Sequence, residues 1–157
     1  MLDLTNDPKI ETKVLAFNNL IVLAREDSGS NTIIASGGLP IIVENLQKEK
    51  NKEVLLGITR LIASLCKDSM KRSKTVFNQV QYELIAELIS YDDQEISTAG
   101  ALIIQNMILS LTDLENKKTH QRRKVHNPVE FCKLKFFYFL FSCSFGFNSY
   151  YKSFNST

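Results

Sequence analysis

Asn31-Thr-Ile-Ile-Ala-Ser-Gly-Gly-Leu-Pro-Ile-Ile-Val-Glu-Asn-Leu46, a polar break at Gln47–Lys52, and Glu53-Val-Leu-Leu-Gly-Ile-Thr-Arg-Leu-Ile-Ala-Ser-Leu-Cys66 together decide the fold of this 157-residue chain. The stretch predicts three helices in one unit. A short first helix ends at Ser36, because Gly37-Gly38 can take the positive φ that closes a helix C-terminus. Pro40 then suits the first turn of the second helix, where its missing N–H is not needed. That helix carries Leu39, Ile42, Val43 and Leu46 at i, i+3, i+4 and i+7. A third begins after Asn51, a side-chain cap, and sets Val54, Ile58, Leu61, Ile62 and Leu65 on one stripe. One such unit cannot bury its own apolar faces, so it requires neighbours.

The neighbours are in the sequence. Sliding the chain on itself by roughly 42 residues, a repeat period typical of helical solenoids, superposes Val22, Ser64 and Asn106. It also aligns Leu20 with Ile62 and Ile104, Leu23 with Leu65 and Met107, and Asn18 with Arg60 and Leu102. Asp93 falls on Asn51 as a second cap, and Asp7-Pro8 supplies the start signal of the earliest copy. Three long third helices are expected, at about Pro8–Ala24, Glu53–Lys67 and Glu95–Leu111. Between them, Asp68 is expected to cap a helix at about Ser69–Val80 that packs Met70, Val76, Phe77 and Val80. A further helix, Tyr82–Ser90, follows without the Gly-Gly turn or the Pro, so Gln79-Val-Gln-Tyr82 specifies its bend less sharply. Gly57 and Gly100 lie inside third helices, where each costs about 1 kcal/mol relative to Ala. They are expected at points of close helix contact.

Length suffices for one compact domain, and 44% hydrophobic with 23% charged residues is ordinary globular composition. The N-terminus lacks the basic region and apolar core of a signal peptide. Cys66, Cys132 and Cys143 form no metal or redox pair, which fits a reduced cytoplasmic compartment. Cys66 reads as a small core residue. The net charge of +2 divides unevenly: residues 1–112 hold 11 Lys+Arg against 14 Asp+Glu, and residues 113–157 hold 8 against 3. Mildly acidic repeats argue against a phosphate-binding face, and so against nucleic acid as partner. The basic cluster Lys117, Lys118, Arg122, Arg123 and Lys124 could in principle hold RNA or an anionic membrane. Without interleaved aromatics it reads better as a solvated charge run.

Here a resemblance enters. Gly37-Gly-Leu-Pro-Ile-Ile-Val-Glu-Asn-Leu46 resembles the opening of an armadillo second helix, and the third helices follow that family's spacing. More narrowly, Asn19-Leu-Ile-Val-Leu-Ala-Arg-Glu-Asp-Ser-Gly29, followed by the Ile34-Ala-Ser-Gly-Gly38 turn, resembles the central armadillo region of the UCS-family myosin chaperones. The resemblance covers about Pro8 to Glu115. It implies an all-α, armadillo-type α-solenoid of about two and a half repeats over residues 1–116. It also implies a cytoplasmic, non-enzymatic interaction module of an Hsp90 co-chaperone that assists myosin folding, with myosin and Hsp90 as protein partners. In that family a tetratricopeptide domain and a UCS domain flank the central region, and neither pattern is present here. A generic armadillo adaptor for peptide or protein cargo, and a nonfunctional truncated product, are the alternatives.

In armadillo proteins the third helices line a concave groove. Mapped by the slide, the groove positions are Asn18, Arg60 and Leu102, where the family has Trp, and Val22, Ser64 and Asn106, where it has Asn. Asn18, Arg60, Ser64 and Asn106 are therefore the candidate protein-binding residues. Only Asn106 keeps the family residue, which weakens the case for an importin-like clamp on an extended peptide.

No catalytic constellation is legible. His120 and His126 both lie in the basic tail, and Gly29, Gly37 and Gly38 make no phosphate-binding loop. Asp92-Asp93 reads as helix-start chemistry rather than a catalytic pair. No cofactor, metal or small-molecule substrate is expected. Residues 117–157 are expected to lie outside the fold: Phe136–Phe147 is aromatic without helical or strand period, and residues 131–157 carry eight of the ten phenylalanines. Twelve residues are too few to span a membrane, which takes about 17–25. A buried strand or a membrane-dipping hairpin is the alternative to the expected reading, in which this composition is translated noncoding sequence, either because the frame has run into an intron near Lys124 or because the gene model is wrong there.

Overall fold

The computed structural model describes residues 1–118, with side-chain surroundings as far as Ser110. The basic cluster beyond Lys118 and the aromatic run Phe136–Phe147 lie outside the described residues. Among the described residues seven helices follow one another: α1 (Ile10–Leu23), α2 (Asp27–Ala35), α3 (Gly38–Lys48), α4 (Lys52–Cys66), α5 (Met70–Gln79), α6 (Tyr82–Ile89) and α7 (Gln94–Lys118). A short 3-10 turn, Leu2–Asn6, precedes them. The all-α solenoid reading holds, with α1, α4 and α7 as its third helices.

The local signals act as the sequence implies. Gly37 sits at φ 74°, the left-handed position between α2 and α3. Gly38 is needed for a different reason, since a Cβ there would stand 2.7 Å from the Ile33 carbonyl oxygen. Asn51 Oδ1 accepts from the N–H groups of Glu53 and Val54 at 3.0 and 3.2 Å. Asp93 Oδ1 accepts in the same way from Glu95 and Ile96. One cap differs. Ser69, not Asp68, begins α5, its Oγ accepting from the Arg72 N–H, while Asp68 takes φ 55° to turn the chain there. Asp is among the few non-glycine residues that tolerate this region.

The predicted stripes form the core. Leu39, Ile42, Val43 and Leu46 are buried, as are Val54, Ile58, Leu61, Ile62 and Leu65. On α5, Val76 is fully buried, as is Val80 just after it, with Met70 and Phe77 half-buried at the margin. The two interior glycines mark close approach. A Cβ on Gly57 would lie 3.2 Å from Phe17 Cβ, and one on Gly100 would lie 3.0 Å from Leu88 Cβ and 3.1 Å from the Ile89 backbone nitrogen. These contacts bring α4 onto α1 and α7 onto α6.

Candidate protein-binding face

Side chains tie the third helices to their neighbours. From α7, Asn106 Nδ2 donates to the Ala63 carbonyl at 2.9 Å, and Ser110 Oγ donates to the Cys66 carbonyl at 2.9 Å. Between α4 and α7, Arg60 Nη2 meets Glu95 Oε2 at 2.9 Å, and Lys52 stands 3.8 Å from Asp93. Between the first two copies, Lys13 on α1 pairs at 2.9 Å with Glu49, the residue that closes α3.

The residues singled out from the sequence fall on this layer, but in different situations. Asn18 is exposed. Arg60 is exposed too, and its ion pair with Glu95, an equally exposed residue, is worth about 0–1 kcal/mol at most. Ser64 is half-buried and donates its hydroxyl back to the Arg60 carbonyl, one turn earlier on its own helix. Asn106 is half-buried, and part of its amide is committed to bridging α7 to α4. Val22 and Leu102, the remaining positions of the slide, are 56% and 41% exposed. The layer thus offers isolated apolar side chains, one paired arginine and two amides, without aromatic walls.

Two features escaped the sequence reading. Glu11, Glu53 and Glu95 recur at the 42-residue step and are all exposed, giving the N-terminal ends of the third helices an acidic row; the slide that aligned the helices contains them. Arg72 gives no such signal, since Lys71-Arg-Ser-Lys74 looks like a solvated charge run. Its side chain is only 7% exposed, and its guanidinium holds the carbonyls of Leu65 and Lys67 together with the side chains of Asp27 and Asn31. Nearby, burial pushes the Cys66 thiol up to about 12, with the Arg72 cation opposing the rise. That thiol is a core group. Among the described residues no set of three or more His, Cys, Asp and Glu side chains could hold a metal ion, and no described helix is long and apolar enough to cross a membrane.

No protein-family model matches the chain. Protein unc-45 homolog B of Xenopus tropicalis is 32% identical over 114 residues, 73% of this chain. Among solved structures, UNC-45 from Drosophila melanogaster aligns over 70% of this chain and 14% of its own, with a TM-score of 0.64 and 23% identity. Over this length the chain is similar to the UNC-45 proteins, consistent with a fragment of the UCS family. These relatives are far longer: the chain spans 12% of the Xenopus tropicalis protein and 13% of the human unc-45 homolog B. The fold is also shared with a designed protein. A designed armadillo repeat protein, YIII(Dq)4CqI, superposes with a TM-score of 0.63 at 17% identity, over 67% of this chain and 44% of that one.

Proposed function

We propose that residues 1–116 are a repeat domain from the central region of a cytoplasmic, myosin-directed chaperone that works with Hsp90, and that the domain is a non-enzymatic surface for protein contact. The observation that carries this reading is the kinship to unc-45 homolog B over most of the chain. Myosin and Hsp90 come from what the family resemblance implies. The proposed contact surface is the third-helix layer, with Asn18, Arg60, Ser64 and Asn106 facing the partner. The layer's chemistry suits a folded client better than an extended peptide, because Asn106 already spends part of its amide on Ala63 and the described residues of the third helices include no exposed aromatic side chain.

The test is capture of a myosin motor domain by the full chain and by its Asn18→Ala/Arg60→Ala double variant, with circular dichroism of both. Both substitutions lie on exposed side chains, so the helical signal should persist while capture weakens. Equal capture by the two proteins would retire the face. Melting residues 1–116 beside all 157 tests the domain limit. A cooperative transition of the shorter form is expected; cooperative melting of the full chain alone would show that residues 117–157 belong to the fold.

A further inference from the structure

We draw no further inference here: the strongest candidate, the apolar cleft of about 190 Å³ between the N-terminal 3-10 turn, α1 and α2, lined by Met1, Leu2, Leu20, Leu23 and Ile33, carries nothing because nothing in the structure shows what covers it.

Discussion

The chain turns the corner from a third helix into the next copy twice, from α1 into α2 and from α4 into α5, and it solves the corner by opposite means. The last carbonyls of any helix need partners. At the first corner the solution is closeness. Gly29 lets α2 lie directly against the end of α1, where Ser30 Oγ reaches the Ala24 carbonyl at 2.9 Å. At the second, the 42-residue step puts Lys71 where Gly29 was and Arg72 where Ser30 was. The gap is spanned by a long side chain. Arg72 donates to the Leu65 and Lys67 carbonyls at 3.1 and 2.8 Å, and the Cys66 carbonyl receives both Ser73 Oγ and Ser110 Oγ. The second solution also joins copies. Arg72 reaches back to Asp27 and Asn31 on α2, and Ser110 reaches in from α7. A corner built on contact depends on one missing methyl group, whereas a corner built on reach depends on one charged side chain.

The largest effect should come from breaking the close corner. A Cβ on Gly29 would fall 1.9 Å from the Leu23 carbonyl oxygen and 2.8 Å from its carbon. Both are backbone atoms, so the helices themselves must separate. Gly29→Ala should cost about 3 kcal/mol despite the better helix propensity of alanine, at the upper end for overpacking. The equivalent change at the open corner, Lys71→Ala, should stay within about 0.5 kcal/mol, as exposed positions do. Urea unfolding followed by circular dichroism measures both. Equal midpoints for the two variants would abolish the contrast.

Arg72→Met comes next, at about 2 kcal/mol. It keeps the buried stem but leaves two carbonyls without their donor. Asp27 is mostly exposed and rehydrates once its partner is gone, so the cost should fall short of the 3–5 kcal/mol typical of a broken buried pair. Cys66 supplies the readout. Its buried thiol should resist alkylation at about pH 8 in the native chain, and it should react faster in the Arg72→Met variant, which opens the end of α4. Unchanged labelling would show that packing alone closes that corner.

These two sites also mark how far the sequence could be read. The helices were legible because their signals are local: Gly37-Gly38 with Pro40, the Asn51 and Asp93 caps, and apolar stripes of helical period. The 3-10 turn Leu2–Asn6 is too short to show a period. Gly29 stands in Asp-Ser-Gly-Ser30, which reads as a turn but forms the first turn of α2. Arg72 gives no signal, because nothing in a linear run of charges tells which one meets two backbone carbonyls and the side chains of Asp27 and Asn31. The face was legible as a set of equivalent positions, since the slide that finds the repeats also finds Asn18, Arg60 and Leu102. What the slide could not show is where an amide points. Asn106 bonds across to Ala63, a contact between residues 43 apart that depends on how the helices pack.

The positive-φ residues sharpen the comparison at a smaller scale. Gly37 turns α2 into α3 at φ 74° with nothing within 4 Å of where its Cβ would be. Gly37→Ala should therefore cost only the left-handed backbone penalty, about 1 kcal/mol. Asp68 holds φ 55° with a side chain present, so Asp68→Gly should relieve strain and raise stability by less than about 1 kcal/mol. Opposite signs from the two substitutions are expected in the same unfolding experiment. A stability loss in Asp68→Gly would mean that the carboxylate contributes more at that turn than its backbone strain costs.

The smallest effect separates the turn between α3 and α4 from its counterpart between α6 and α7. Glu49 occupies the first, accepting the Lys50 and Asn51 N–H groups at 3.0 and 2.9 Å and the Lys13 ammonium at 2.9 Å; the 42-residue step puts Tyr91 in its place at the second. Burial alone would raise the Glu49 carboxyl, but Lys13 and the two backbone donors outweigh it and hold the group below its usual 4.5. A carboxylate depressed in the folded state contributes stability that is fully present above the unfolded value. That contribution is lost as pH falls through the lower folded value. Between pH 7 and about pH 3 the wild type should therefore lose more stability than Glu49→Gln, which keeps the shape but has no proton to take up. Urea midpoints of the two proteins at both pH values measure the difference. Parallel losses would assign the acid sensitivity to other carboxylates and leave the two turns electrostatically equivalent.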